Sequence, residues 1–278
     1  MKLAIDSGPA VKCFGEEKGY RILREAGFDG VDLSMFEMDL GDGYREHAFE
    51  TKRLLDACGL TPVQAHAPFN FQYGMKADCS EPHYLEIVRA MEYAAIVGAP
   101  HIVIHGHPCP MGAGSTQSMT CNLAYFRSFL PYAEQFGIRI ALENLRAALT
   151  YPYLMRHMLE ELNDPRFCMV YDTGHANYLY VPQAAFFSEL PGGTVAGMHI
   201  HDNTGKWDDH MLPGTGVLPW DELLSAMADY GYDGCFTLEL PHMGKYYSEE
   251  NMAAAYALAA ATGRKLINRL EQLKSEKA

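Results

Sequence analysis

Six short apolar segments of this chain each end in a residue that can bind a metal ion or carry a proton. The six residues are His66, His105, Glu143, Asp172, His199 and Glu239. An ionised carboxylate at the end of an apolar segment is costly unless another group compensates its charge. A divalent cation would compensate it, and ligands that mix carboxylate with imidazole suit Mn, Zn, Co or Mg.

Polar residues with the same chemistry follow two of these segments. His175 comes three residues after Asp172, and an Asp-x-His sequence lies downstream of His199. The alternatives to ligation are a hydrogen-bonded structural histidine and a solvated polar loop. The residues that we predict as additional ligands, of a metal or of the substrate, are His66, His105, His175, Asp208 and His210.

The elements that must position these residues alternate along the chain. Near-continuous apolar runs such as Ile102-Val103-Ile104 are typical of strands buried on both faces in a parallel sheet. The pattern predicts strands at 2–6, 30–34, 62–66, 101–105, 138–143, 168–172, 195–200 and 235–240. It predicts helices at 15–26, 43–58, 81–97, 117–136, 152–162, 182–189, 219–229 and 248–274.

Eight strand-then-helix units in 278 residues favour a closed barrel over an open sheet. We therefore predict an α/β fold, a single (β/α)₈ TIM barrel that occupies residues 1–278 as one domain. A parallel barrel brings the carboxyl ends of its strands around one mouth. The six metal-binding or proton-carrying residues are expected to meet there.

Composition excludes several kinds of partner. The formal net charge is −13 and the basic residues are scattered, so no nucleic acid is expected; a small-molecule substrate fits better. The longest apolar run, residues 252–261, is too short for a bilayer of about 30 Å, so no membrane span is expected. Seven cysteines without a C-x-x-C pair predict a reduced, cytoplasmic protein. A homo-oligomer is compatible with the sequence.

Over nearly its whole length the chain resembles the xylose isomerase-like TIM barrel superfamily, which groups sugar phosphate isomerases and epimerases with endonuclease IV. The segments that carry the resemblance are His66-Ala67-Pro68, Leu142-Glu143-Asn144, Asp172-Thr173-Gly174-His175, Met198-His199-Ile200-His201-Asp202, Pro213-Gly214-Thr215-Gly216 and Leu238-Glu239.

The resemblance implies two ligand sets. In the ketose 3-epimerase branch one metal is held by four residues, two glutamates also move the proton, and the residue matching His175 contacts substrate. The four matching residues are Glu143, Asp172, His199 and Glu239. Endonuclease IV holds three zinc ions with nine ligands. The nine matching residues are His66, His105, Glu143, Asp172, His175, His199, Asp208, His210 and Glu239.

We therefore expect a divalent-metal-dependent isomerase or epimerase of a sugar, polyol or inosose, in carbohydrate metabolism. Glu143 and Glu239 would remove and return a proton next to a metal-bound carbonyl. A dehydratase would begin with the same proton abstraction. The alternatives are a zinc-dependent multi-metal phosphoesterase resembling endonuclease IV and an inert sugar-binding barrel. Arg146 is a candidate contact for a substrate phosphate or carboxylate.

Overall fold

The computed structural model describes residues 1–109, 114–145 and 149–277. Eight parallel strands form one sheet in the order β7-β6-β5-β4-β3-β2-β1-β8. Their bounds are β1 Leu3–Asp6, β2 Gly30–Ser34, β3 Thr61–His66, β4 His101–Val103, β5 Arg139–Glu143, β6 Phe167–Asp172, β7 Val195–His199 and β8 Phe236–Leu238.

The sheet closes on itself between its first and last members in this order. A parallel bridge joins Ile200 to Leu238. The amide of Ile200 donates to the carbonyl of Thr237 over 2.8 Å, and the amide of Glu239 donates to the carbonyl of Ile200 over 3.0 Å. These bonds complete the (β/α)₈ barrel and confirm the predicted fold class.

Helices surround the barrel. Their bounds are α1 Gly8–Phe14, α2 Glu16–Ala26, α3 Tyr44–Cys58, α4 Pro82–Val97, α5 Ser115–Phe136, α6 Pro152–Leu162, α7 Thr173–Tyr178, α8 Gln183–Glu189, α9 Trp220–Tyr230, α10 Met243–Tyr246 and α11 Glu249–Lys277. Several end in a left-handed glycine, as at Gly27 and Gly231, where the chain turns into the next strand. Among the residues described, no helix combines the length and apolarity needed to cross a membrane.

The predicted strands and the longer helices are confirmed, but three short helices were not predicted. These are α1, α7 and α10, of 7, 6 and 4 residues. Each is too short to show a helical period in the sequence. β4 and β8 each end two residues before their predicted ends, at Val103 and Leu238, so His105 and Glu239 lie just beyond the regular ladder.

The inside of the barrel and the helix–sheet interface are two separate apolar regions. A small cluster of Val103, Ala141, Cys168 and Val170 fills the interior. The much larger cluster packs the helices against the outside of the sheet. Because side chains alternate along a strand, residues two positions after an interior residue also point inward. Glu143 follows Ala141 by two positions and Asp172 follows Val170 by two positions, so both side chains point into the mouth.

Close packing inside the barrel makes Gly197 of β7 sensitive to substitution. A Cβ at this position would lie 2.4 Å from Gln64 Oε1 and 2.8 Å from His101 Nε2. We expect Gly197→Ala to lower the free energy of unfolding by about 1–3 kcal/mol through overpacking. Chemical denaturation measures the effect. Gly192→Ala is the control, since its Cβ would meet open space, and equal stability of the two variants would contradict the expectation.

Candidate active site

Four consecutive strands deliver one ligand-type residue each to the same side of the barrel mouth. Glu143 ends β5, Asp172 ends β6, His199 ends β7, and Glu239 directly follows β8. One potential ligand atom from each of the four lies within 4.8 Å of the others. Glu143, Asp172 and His199 are at most 1% exposed, and Glu239 is 9% exposed. The four residues predicted as the metal set are therefore brought together.

Glu143 lies at the centre of four imidazoles. Its Oε1 is 2.6 Å from Nδ1 of His199 and 3.7 Å from Nδ1 of His175. Its Oε2 is 2.8 Å from Nε2 of His105 and 3.8 Å from Nε2 of His66. Burial alone would raise the pKa of Glu143, but the charge of His199 and hydrogen bonds from the histidines hold that pKa well below its usual range. Glu143 is consequently a carboxylate.

Asp172 is held by its backbone and by its side chain. The Asn144 amide clamps the Asp172 backbone, accepting from its N–H over 2.7 Å and donating to its carbonyl over 2.8 Å. One Asp172 oxygen accepts from the backbone N–H of His175 and caps α7. The other is 3.2 Å from Nε2 of His201. These contacts give a role to two of the sequence segments. Asn144 of the Leu-Glu-Asn segment fixes the backbone of Asp172, and Asp172 of the Asp-Thr-Gly-His segment caps the first turn of α7.

His199 bridges two acidic groups through its two ring nitrogens. Its Nδ1 faces Glu143 and, at 3.9 Å, Glu239. Its Nε2 is 3.1 Å from Asp32 of β2, which also accepts from Nε2 of Gln64 over 2.7 Å. Burial alone would lower the pKa of His199, but the charges of Glu239 and Glu143 and the bond to Asp32 raise it well above its ordinary value. Asp32 thereby directs Nδ1 toward the carboxylates.

A second group of ligand-type atoms adjoins the first at Glu239. Ligand atoms of His201, His210 and Glu239 also lie within 4.8 Å of one another. His210 Nε2 is 3.3 Å from Glu239 Oε2, and the rings of His201 and His210 stack at 4.1 Å. Asp208 approaches His175 Nε2 at 3.2 Å and His201 Nε2 at 3.6 Å. The polar segment after β7 therefore turns its Asp-x-His residues into the mouth.

Asp202 organises that segment. Its carboxylate accepts from the backbone amides of Gly214 over 2.9 Å and Leu218 over 3.0 Å, and from the indole of Trp220 over 3.0 Å. Its backbone pairs with Met211 in both directions, at 2.7 and 2.8 Å. These bonds fold residues 203–218 back over the mouth and fix the position of the Asp-x-His sequence. Gly214 belongs to the Pro-Gly-Thr-Gly sequence, so that sequence takes part in the contact with Asp202.

His66 and His105 form the opposite edge of the cluster, against two aromatic rings. Their Nε2 atoms are 3.1 Å apart. Phe36 meets the His66 ring edge-on with centroids 4.7 Å apart, and Phe69 lies 4.7 Å from the His105 ring. The two aromatic rings therefore pack against both histidines at this edge of the cluster.

The structure brings all nine of the predicted site residues into this one network. They are His66, His105, Glu143, Asp172, His175, His199, Asp208, His210 and Glu239. Asp32 and His201 also belong to it but were not among the predicted ligands. The sequence carries a signal for Asp32, because this acidic residue stands between Val31 and Leu33 in an otherwise apolar strand segment. The candidate contact Arg146 lies outside the described residues.

The residues present fit a divalent cation. Among the described residues, five buried polar atoms of the network make no hydrogen bond, namely Asp32 Oδ1, Glu143 Oε2, His175 Nδ1, Asp208 Oδ1 and Glu239 Oε2. Buried polar atoms without a hydrogen bond are rare in proteins, and a bound cation would satisfy them. The donors are imidazoles and carboxylates without a thiolate, which suits Mn, Zn, Co or Mg.

A family model described as the xylose isomerase-like TIM barrel matches residues 20–263. The chain belongs to the xylose isomerase-like TIM barrel family. This membership confirms the predicted resemblance.

Sugar epimerases are among the proteins that this chain resembles in sequence or in fold. The chain is 26% identical over 264 residues to fructoselysine 3-epimerase of Shigella flexneri, covering 87% of this chain and 90% of that protein. A D-tagatose 3-epimerase-like protein has the same fold, with a TM-score of 0.76, 21% identity and coverage of 100% and 99%. The IOLI protein, solved with a zinc atom, superposes with a TM-score of 0.74 at 17% identity and coverage of 97% and 98%.

The contact between Asp32 and His199 can be tested in the metal-free protein. Asp32→Asn removes a negative charge and an acceptor that stabilise the protonated imidazole, so we expect the pKa of His199 to fall. Titration of the histidine ring signals by NMR measures the change. Asp42→Asn, at a fully exposed aspartate, is the control. An unchanged His199 titration in Asp32→Asn would show that the two side chains do not interact.

Proposed function

We propose that this protein is a divalent-metal-dependent isomerase or epimerase that moves a proton next to the carbonyl of a sugar, polyol or inosose. One observation carries the proposal: Glu143 and Glu239 approach the same nitrogen of His199, with Asp172 beside them, in one buried group of ligand atoms. The epimerase names of the relatives support this reaction class.

The residues that would hold the metal are Glu143, Asp172, His199 and Glu239. A divalent cation there would polarise the substrate carbonyl and stabilise the negative charge that develops on its oxygen. Asp32 positions His199 by accepting from its Nε2–H, and Asn144 positions Asp172.

The two glutamates are the groups that move the proton. Glu143 is ionised in its imidazole cage and therefore able to accept a proton from the carbon next to the carbonyl. Glu239 Oε2 lies 3.3 Å from His210 Nε2 and belongs to the same group of ligand atoms, so we assign Glu239 the second proton, on the other side of the substrate. His175 Nδ1, which makes no hydrogen bond within the described part of the chain, lies within reach of a substrate hydroxyl near Asp172. Two acid–base groups are what an epimerisation requires.

Replacing either glutamate with glutamine tests the proton-transfer role. Glu143→Gln and Glu239→Gln are each expected to lower turnover by at least about 10²-fold, because a positioned acid–base group contributes roughly 10²–10⁴-fold. Proton exchange with deuterated water at the carbon next to the carbonyl measures the step. Glu25→Gln, at an exposed position of α2, is the control. Turnover within about tenfold of wild type would exclude the role.

A phosphoesterase with several zinc ions is the second candidate function, favoured by the His201, His210 and Glu239 group and by Asp208 Oδ1, which makes no hydrogen bond to the described residues. Two metal ions about 4 Å apart can activate water and stabilise a leaving oxygen.

Metal content per chain separates the two functions. Protein purified without chelator or nickel affinity is analysed by mass spectrometry. The isomerase or epimerase predicts about one Mn, Co, Zn or Mg ion per chain, and a rise in melting temperature when that metal is returned to chelated protein. Two or three zinc ions per chain, lost together in Asp208→Asn, would instead support phosphoester hydrolysis.

A further inference from the structure

Three polar side chains lie inside the barrel, on the side of the ligand group that faces the amino ends of the strands. They are Asp32, Gln64 and His101, each at most 4% exposed, and we call them the axial row. Each has one buried polar atom that makes no hydrogen bond within the described part of the chain. Apolar side chains usually fill the interior of such a barrel, so buried polar groups there require a reason.

Gln64 lies beside Asp32 because the pairing of β2 with β3 contains an irregularity. Val31 pairs with Pro62, whereas Asp32 pairs with Gln64, so the register passes over Val63. Irregularities of this kind are frequent next to active sites, where they re-aim a side chain. A regular ladder would put the apolar Val63 opposite Asp32 and would leave the carboxylate without an amide partner on β3.

Gln64 contacts His199 in two ways, through the imidazole ring and through the backbone. Its Nε2 donates to Oδ2 of Asp32 over 2.7 Å, and this oxygen lies 3.1 Å from Nε2 of His199. The same Nε2 of Gln64 donates to the carbonyl of Met198 over 3.3 Å, directly before His199. Because both partners of the Gln64 nitrogen are acceptors, the orientation of the amide is fixed and its oxygen faces away from them.

The oxygen of Gln64 shares a small space with His101. A Cβ on Gly197 would lie 2.4 Å from Gln64 Oε1 and 2.8 Å from His101 Nε2, so both atoms border the place that a side chain of residue 197 would take. A second register shift, between β6 and β7, puts Gly197 opposite Val170 of the barrel interior. The glycine therefore leaves this space to the two polar atoms.

His101 can supply the donor that the oxygen of Gln64 lacks. Burial lowers the pKa of His101 to about 4, so the ring is neutral at pH 7 and carries one N–H. With the proton on Nε2, this N–H enters the space that Gln64 Oε1 borders. Neither atom makes a hydrogen bond within the described residues, and one water molecule between them would satisfy both.

We propose that Gln64 and His101 are positioning residues for His199. Gln64 holds the Asp32 carboxylate against Nε2 of His199. His101 fixes the Gln64 amide through one bound water molecule beside Gly197. The proposal rests on the proposed function, because it assigns the axial row to the support of one metal ligand. Partners of this kind fix the ring orientation of a metal-binding histidine, and their loss lowers metal affinity by about 10–100-fold.

The role of Gln64 is tested by a variant of similar side-chain length. Gln64→Met removes both hydrogen bonds of the amide nitrogen, so we expect the affinity for zinc to fall at least about tenfold. Competition with a chromophoric chelator measures this affinity. Gln135→Met, at an exposed position of α5, is expected to bind zinc as the wild type does. Wild-type affinity in Gln64→Met would overturn the role of Gln64.

Two substitutions of His101 separate hydrogen bonding from packing. His101→Gln keeps an amide N–H that can take the place of Nε2–H, whereas His101→Leu removes every donor. We expect zinc affinity to fall several-fold in His101→Leu and to be largely retained in His101→Gln. His83→Leu is the control, because His83 is also buried and its Nε2 also makes no hydrogen bond to the described residues. Equal affinities in the two His101 variants, or an equal loss in His83→Leu, would contradict the role of His101.

NMR of the ring nitrogens in the metal-free protein tests the axial row without metal or turnover. In the wild type at pH 7 we expect the proton of His101 on Nε2. In Gln64→Met at the same pH we expect the ring signals of His199 to shift and those of His83 to stay unchanged. A proton on Nδ1 of His101 would refute the link to Gln64, a result that needs no variant to fold.

The same spectra separate this inference from the proposed function. Absence of zinc binding in the wild type, together with the expected NMR results, would refute the metal-dependent reaction but support the positioning of His199. Zinc binding and turnover together with unchanged His199 signals in Gln64→Met would refute the positioning role and leave the reaction standing.

Discussion

The structure around the mouth depends on compensation between buried carboxylates and buried imidazoles. Glu143, Asp172 and His199 are almost completely shielded from water, and an unpaired charge in such a place would be very costly. Each carboxylate therefore has an imidazole within ion-pair distance. Carboxylates and imidazoles are also the ligands that a divalent cation prefers. The pairing that compensates the buried charges therefore also provides a set of metal ligands.

The barrel supplies this arrangement through alternation and closure. Alternation along β5 and β6 directs the side chains of Glu143 and Asp172 inward, and closure between β7 and β8 brings His199 next to Glu239. Polar side chains outside the ligand set hold these positions: Asn144 clamps Asp172, Asp32 orients His199, and Asp202 folds the segment after β7. Precise placement of an acid–base group depends on such supporting contacts.

Family membership and the site contribute different information. Many reactions use this barrel, so the fold alone does not identify the chemistry. The donor set, with two glutamates at one histidine nitrogen, supports the proposed proton transfer beside a carbonyl.

The sequence by itself determined the repeating units and the residues at their ends. Continuous apolar runs predicted eight buried parallel strands, and the His, Asp and Glu residues after them predicted a shared mouth, because both are local patterns. Only the tertiary structure decided that Asp32, far away in the sequence, contacts His199, that His201 stacks on His210, and that the segments after β1 and β2 line a groove. These features depend on distances between side chains of remote strands, and such distances are set by barrel closure and packing rather than by any local pattern.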